Sequence, residues 1–223
     1  MVAKRLVNLQ TLKLDHTALS AIYSPAGNAS ALLVLAHGAG ANFEHDHMSA
    51  LSLALNNVGI STLRFNFPFM EEGKRRVDNP DVCIDTIARA VATANRLCPK
   101  VKLFIGGHSF GGRMSTHYAV EQRTSAVGII LFSFPLHPSK KPAIKRAAHL
   151  GAINEPMLFL SGDRDTLAEA ALLQSVTGPL ANARLHWLET ADHSYKILKR
   201  TRKSAENVYA EAARVASAWI EEL

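Results

Sequence analysis

The sequence predicts an α/β fold built on a mostly parallel sheet with helices on both faces. Apolar runs of strand length alternate with segments of helical period along the chain, which is the pattern of consecutive β-α-β units. The run Ala31–Ala36 is apolar throughout, as is typical of a strand buried on both sides. No stretch rich in glycine, serine or proline divides the 223 residues, so we expect a single domain over residues 1–223.

The apolar runs predict about eight strands. An opening pair at residues 6–14 and 19–24 precedes the buried run at 31–36. The remaining strands are predicted at residues 61–67, 101–106, 127–132, 157–160 and 184–189.

Helices are expected between most of these strands. The dipeptide Asn79-Pro80 predicts a helix start, because asparagine favours the N-cap and proline the first helical position. Ser204 is the predicted N-cap of an amphipathic C-terminal helix. Other helices are expected over residues 44–57, 111–122 and, as a short one, 143–149. The irregular stretches at 68–78 and 135–155 are too short for a substantial cap domain.

The segment Gly107-His108-Ser109-Phe110-Gly111 lies between a predicted strand and a predicted helix. A G-x-S-x-G sequence in this setting predicts a nucleophile elbow, a strained turn that exposes the serine hydroxyl above the sheet. The alternative is a glycine-rich turn that only connects the elements or cradles a phosphate. Neither G-x-G-x-x-G nor G-K-[ST] occurs here, so Ser109 is the predicted nucleophile.

With this elbow in this strand order, the chain resembles the α/β-hydrolase superfamily from about Leu32 to its C-terminus. The resemblance implies that an acid and then a histidine follow the serine along the chain. Asp165 matches the acid of the family's G-x-x-D turn, with Asp163 and Asp192 as alternatives. His193, after the last predicted strand, matches the general base.

The same resemblance places half of an oxyanion hole in the loop His37-Gly38-Ala39-Gly40-Ala41-Asn42, which follows the run Ala31–Ala36. The backbone N–H groups of Ala39 and Phe110 are the implied donors. The alternative for a loop of glycine and alanine is a tight turn without a catalytic role.

Two further segments, residues 64–70 and 134–138, resemble small uncapped serine hydrolases near the dienelactone-hydrolase branch, the group that includes testis-expressed-protein-30-like proteins. Dienelactone hydrolases use cysteine as nucleophile, whereas this chain has serine. The implied site is open and shallow. Its expected apolar walls are Phe67, Phe69, Met70, Phe110 and Leu136, although about half of these would be core residues instead.

These features predict a hydrolase of carboxylic esters or thioesters that works through an acyl-enzyme. The alternative is an interaction or scaffold protein with a vestigial triad. We expect no cofactor and no metal. The histidines of His45-Asp46-His47 point to different faces of a helix, so a role at the helix start or in a pocket wall is favoured.

The 25 Lys and Arg against 19 Asp and Glu give a net charge of +6. The basic clusters at 74–76, 140–146 and 196–203 accompany no nucleic-acid-binding module, so we expect a small-molecule partner and no nucleic acid. The first two clusters should flank the site and would favour an anionic substrate. Two cysteines, no secretory signal and no membrane-length apolar stretch predict a cytoplasmic protein. Oligomeric state is left open.

Overall fold

The computed structural model describes residues 9–122 and 124–223, and these form one sheet flanked by helices. The strands are β1 Gln10–Lys13, β2 Ser20–Ser24, β3 Ala31–Ala36, β4 Ile60–Phe65, β5 Lys102–His108, β6 Gly128–Phe132, β7 Met157–Gly162 and β8 Ala183–Leu188. The helices are α1 Asp46–Asn57, α2 Pro68–Glu71, α3 Pro80–Leu97, α4 Phe110–Glu121, α5 Ala170–Thr177 and α6 Val208–Glu221.

The eight strands are ordered β1-β2-β4-β3-β5-β6-β7-β8. β1 and β2 pair antiparallel with each other, and β2 pairs antiparallel with β4, whereas all strands from β4 to β8 pair in parallel. The prediction of an eight-stranded, mostly parallel sheet is therefore confirmed. β3 lies at the centre because each of its six residues is apolar and buried.

Helices cover both faces of the sheet. The buried side chains of α1 and α6 pack on one face, and those of α3, α4 and α5 pack on the other. No helix in the described ranges is long and apolar enough to cross a membrane. The described residues also contain no separate cap domain.

Several boundaries differ from the sequence-based expectations. The first predicted strand is shorter, since β1 begins at Gln10, and residues 6–8 lie outside the described part. β4 ends at Phe65 because the chain turns into α2 at Pro68. The short helix expected at 143–149 is a pair of 3-10 turns, Lys145–Ala147 and Leu150–Ala152. Helix α5 was not predicted.

The predicted cap of the last helix is wrong. α6 is capped by Asn207, whose side-chain oxygen accepts hydrogen bonds from the N–H groups of Tyr209 and Ala210. The Ser204 hydroxyl instead accepts the N–H of Glu206 in the preceding loop. Asparagine and serine are about equally good caps, so sequence preference does not separate the two positions.

Candidate active site

Ser109 stands at the junction of β5 and α4 in a strained backbone conformation. Its φ is 53° and its ψ is −116°, in a region that non-glycine residues rarely adopt. The Ser109 N–H donates to the carbonyl oxygen of Phe132 on β6 (2.9 Å), which fixes the turn to the neighbouring strand. This is the strand–turn–helix geometry that exposes a serine hydroxyl above a parallel sheet.

Glycines on either side of the elbow allow this geometry. A Cβ added to Gly107 would lie 2.3 Å from the carbonyl oxygen of Ala36, and one added to Gly111 would lie 2.5 Å from the same atom. The end of β3 therefore approaches the elbow too closely for any side chain at these two positions.

The structure brings Ser109, His193 and Asp165 together, although they lie on three different loops. His193 Nε2 is 2.8 Å from Ser109 Oγ, and His193 Nδ1 is 2.7 Å from Asp165 Oδ2. Since the carboxylate can only accept, Nδ1–H is the donor and Nε2 is free to accept the serine proton. Asp165 is held by a second bond, from the Leu167 N–H to its Oδ1 (2.8 Å), and its side chain is fully buried.

The two alternative acids lie elsewhere. Asp163 is exposed and faces a separate surface depression beside Trp187. Asp192 Oδ1 accepts the N–H groups of Ser194 and Lys196 at 2.9 and 3.0 Å. Asp192 thus braces the turn that carries His193, and Asp165 alone of the three carboxylates hydrogen-bonds the imidazole.

The loop after β3 runs beside the elbow. A Cβ added to Gly38 would lie 3.1 Å from His108 Nδ1 and 3.6 Å from Ser109 Cβ, so this backbone lies close to the serine. Ala39, the next residue, is exposed. Within residues 9–122 and 124–223, the N–H groups of Ala39 and Phe110 donate to no protein acceptor, as two open oxyanion donors would.

His37 holds this loop in place without facing the cavity. Its Nδ1–H donates to the Gly38 carbonyl oxygen (2.8 Å), and its Nε2 accepts the Phe67 N–H (3.2 Å). Burial lowers the pKa of His37 to about 4, so the ring is neutral at neutral pH and can act as donor and acceptor together. It links the loop after β3 to the chain after β4.

The cavity at Ser109 has a volume of about 270 Å³ and histidine-rich walls. His108 Nε2–H donates to the His193 carbonyl oxygen (2.9 Å), and its ring lies 4.3 Å from that of His47. His47 Nδ1 shares a hydrogen bond with the hydroxyl of Tyr209 (2.9 Å). Burial lowers the pKa of His47 to about 4 and holds that of His108 well below its usual value, so both rings are neutral at neutral pH.

Sequence reasoning identified this histidine wall only in part. His45 caps α1 by accepting the His47 N–H (3.2 Å), and both residues line the cavity, in keeping with a role at the helix start and in the wall. The sequence feature that indicated this role is the position of His45 and His47 shortly after the glycine loop. No local signal reveals Tyr209, which reaches the cavity wall from a helix 162 residues away.

The side chains predicted as apolar walls of the site do not surround Ser109, and this prediction is corrected here. Phe67, Phe69 and Leu136 are fully buried, and Phe110 is 8% exposed. The rings of Phe67 and Phe69 pack against Phe110 with centroids 5.6 and 6.0 Å away, beneath the elbow. Met70 is half-buried against the same core. Phe67 and Phe69 support the start of α4, and none of these five side chains lines the Ser109 cavity. Leu136 instead lines a separate cavity beside α4.

No cluster of three or more His, Cys, Asp or Glu side chains suited to a metal ion occurs in the described part of the chain. His37 and His108 each donate a hydrogen bond to a backbone carbonyl, and His47 shares one with the Tyr209 hydroxyl. The side chains that meet at Ser109 supply a hydroxyl, an imidazole and a buried carboxylate.

Comparison with known proteins gives the same architecture. A family model described as an alpha/beta hydrolase domain matches residues 29–221. A dienelactone hydrolase from Anabaena variabilis superposes with a TM-score of 0.74 at 17% identity, covering 97% of each chain. A serine hydrolase without a lid from Xanthomonas campestris superposes with a TM-score of 0.67 at 15% identity, covering 96% of this chain and 92% of the other.

Among curated proteins, monoglyceride lipase from Rattus norvegicus is 28% identical over 112 residues, and that from Mus musculus is 27% identical over 112 residues. Each match covers 50% of this chain and 37% of the lipase. The chain thus matches well under half of these relatives' length.

Proposed function

Because the chain belongs to the α/β-hydrolase family, we propose that it is a serine hydrolase that cleaves a carboxylic ester or thioester. The observation that carries the proposal is the hydrogen-bond chain from Ser109 through His193 to Asp165, with contacts of 2.8 and 2.7 Å. A scaffold protein has no need of these contacts or of the strain at Ser109.

In the proposed reaction, His193 Nε2 takes the Ser109 proton while Oγ forms a bond to the substrate carbonyl carbon. The bond from that carbon to the alcohol or thiol then breaks, and His193 gives the proton to the departing group. Water, deprotonated by His193, attacks the acyl-serine, releases the carboxylic acid and restores Ser109. The Asp165 carboxylate holds the imidazole in the required tautomer and stabilises the imidazolium at each step.

The charge that develops on the carbonyl oxygen requires donors that are already in place. The N–H groups of Ala39 and Phe110 suit this role, since both are unengaged in the described structure and flank the elbow. Losing one such donor typically costs about 3 kcal/mol of transition-state stabilisation. The link from His37 to the Gly38 carbonyl would keep the first donor oriented.

The size and the walls of the cavity support a proposal for the substrate class. A volume of about 270 Å³ is at the low end for a small-molecule site, and its walls are largely imidazole and glycine. A short acyl group fits such a site better than a long hydrocarbon chain. A lipid ester, as the names of the curated relatives would suggest, is the second candidate.

The test is hydrolysis of p-nitrophenyl esters and an acyl thioester by the wild type, Ser109→Ala and Ser175→Ala. Ser175 is an exposed serine on α5 whose hydroxyl bonds only its own helix (Leu172 O, 2.8 Å), so it is a matched control. We expect the wild type and Ser175→Ala to turn over alike, and Ser109→Ala to lose about 10⁶-fold in kcat. A wild type as inactive as Ser109→Ala on every ester and thioester would overturn the proposal in favour of the scaffold.

A further inference from the structure

A second cavity, of about 450 Å³, lies between α4 and the loop that follows β6. Four positively charged side chains line it, and no acidic residue does: Arg113, Lys141, Lys145 and Arg146. We call this cavity the basic cleft. Among the described residues, none of these four cations is in an ion pair with a carboxylate.

Two of the four cations, Arg113 and Arg146, are close enough to repel each other. Burial and the neighbouring charge of Arg146 lower the pKa of Arg113. Arg113 also places its guanidinium over the Phe110 ring, 5.9 Å from the centroid, which partly anchors it. Positive groups held together without a counter-charge in a partly buried cavity are stabilised when an anion binds there.

A buried polar atom in the wall also lacks a partner. His137 is 1% exposed, and its Nδ1–H donates to the Pro138 carbonyl oxygen (2.9 Å). Its Nε2 is buried without a hydrogen-bond partner in the described structure, although His137 lines the basic cleft. Because Nδ1 carries the proton, Nε2 is an acceptor, so a water or a ligand hydroxyl, such as that of a singly protonated phosphate, would complete it.

Stacked rings and hydrogen bonds hold the remaining wall of the cleft. The rings of His117 and His149 stack with centroids 3.8 Å apart. Thr116 Oγ1 donates to the Arg113 carbonyl oxygen (2.7 Å), so it accepts from His149 Nε2–H (2.8 Å). Burial lowers the pKa of His149 to about 4, so the pair stays neutral and the charge of the cleft comes from the Lys and Arg side chains.

The basic cleft is built on the same elements as the proposed triad. The Arg113 N–H donates to the Ser109 carbonyl oxygen (3.1 Å), so Arg113 lies one helical turn after the nucleophile. The N–H groups of Leu136 and His137 both donate to the Leu167 carbonyl oxygen, and the Leu167 N–H binds Asp165. The cleft is therefore fixed relative to Ser109 and Asp165 by backbone hydrogen bonds.

We propose that the basic cleft binds an anionic group of the substrate, a phosphate or a carboxylate, while the ester or thioester lies at Ser109. The inference rests on the proposed function and names the substrate class within it. The volume exceeds that of a single ion and lies in the usual range for organic ligands. Two guanidinium groups in the wall match the paired oxygens of either anion.

The experiment compares three p-nitrophenyl esters whose acyl chains have equal length and end in a methyl, a carboxylate or a phosphonate group. The test variant is Lys145→Gln/Arg146→Gln. Its control, Lys199→Gln/Arg200→Gln, removes the same two charges from an exposed cluster outside both cavities. We expect the test variant to lower kcat/KM for at least one anionic ester by about tenfold or more, and to leave the methyl ester unchanged.

The control variant should keep the wild-type preference, and added salt should reduce that preference in the wild type. A higher kcat/KM for the phosphonate ester would indicate recognition of a phosphate, and a higher kcat/KM for the carboxylate ester would indicate recognition of a carboxylate. Equal losses on charged and uncharged esters, or no preference for either anion in the wild type, would overturn the inference while leaving the hydrolase intact. Titration with inorganic pyrophosphate adds a readout independent of turnover. If pyrophosphate binds but the enzyme shows no preference for either anionic ester, the basic cleft is an anion site unrelated to the substrate. That result would also overturn the inference.

If no ester is hydrolysed at all, the failure belongs to the proposed function. Labelling of Ser109 by a fluorophosphonate distinguishes the two cases, because it requires the activated serine but not the basic cleft.

Discussion

The two flanks of the Ser109 elbow are built from different chemistry. On one side, neutral imidazoles border the open cavity, and His108 bonds to the backbone of His193. On the other, Phe67 and Phe69 pack their rings against Phe110 in the core. The difference separates two tasks: the polar flank positions reacting groups, and the aromatic flank holds the strained turn against the sheet. Damage to the first should affect turnover, and damage to the second should affect stability.

The largest effect on the polar flank is expected from Asp165→Asn. An amide in place of the carboxylate favours the wrong imidazole tautomer, and the change should lower kcat by about 10⁴-fold with little loss of stability. Steady-state ester hydrolysis and thermal melting measure the two quantities. The control is Asp163→Asn, which alters an exposed carboxylate in the same turn and should leave kcat unchanged. If the Asp163 change were the more damaging, the assignment of the acid would be wrong.

On the aromatic flank, Phe69→Ala should act in the opposite way. Removing a fully buried ring leaves a cavity and should lower the free energy of unfolding by about 3–5 kcal/mol. The protein that remains folded at low temperature should keep its order of preference among acyl chains, because the ring does not line the cavity. Urea denaturation measures the free energy of unfolding, and hydrolysis of an ester series measures the preference among acyl chains. A stable variant with altered acyl preference would restore Phe69 as a substrate wall.

The buried histidines predict acid sensitivity. The pKa values of His37 and His47 are both about 4 in the folded chain, below the usual value of 6.5. The unfolded chain therefore binds more protons between these values, so stability is full above pH 6.5 and falls as the pH drops towards 4. Each buried ring should account for about 2 kcal/mol between pH 7 and pH 5.

The measurement for this prediction is the free energy of unfolding by urea across that pH range. His47→Gln should reduce the slope, since glutamine removes one titrating group from the polar flank. A slope unaffected by His47→Gln would mean that this ring is not held neutral by burial.

The smallest expected effect concerns acyl length. Because the cavity has a volume of only about 270 Å³, lengthening the acyl chain from butyryl to decanoyl should bring no gain in kcat/KM. Each methylene buried in an apolar groove would otherwise contribute about 0.8 kcal/mol, or several-fold in kcat/KM. A steady rise with chain length would show a hydrocarbon groove and favour a lipid ester as substrate.

The fold was predictable from the alternation of apolar and helical segments, and the three residues that meet at Ser109 were identified from the elbow and the resemblance it carries. The elbow at Ser109 needs its glycines at fixed offsets, and the positions of Asp165 and His193 follow from the strands before them. Sequence alone left Asp163 and Asp192 as alternatives to Asp165, because the contact of Asp165 with the imidazole spans 28 residues.

The apolar walls could not be predicted in the same way. Phe67 and Phe69 follow a strand at the carboxyl edge, where both a pocket wall and a core residue are common. Their direction is set by the short helix α2, which turns them inward against α4. The contact of His47 with Tyr209 likewise depends on α1 and α6 packing side by side, which no local pattern encodes.

The central claim, that Ser109 is activated by His193, is tested most directly by mass spectrometry after treatment with a fluorophosphonate. The account predicts a single covalent adduct on the peptide that contains Ser109, and none in folded Ser109→Ala. Labelling should also fall sharply in His193→Gln, since the serine would lose its proton acceptor. An unlabelled wild type, or an adduct at another residue that persists in Ser109→Ala, would contradict it.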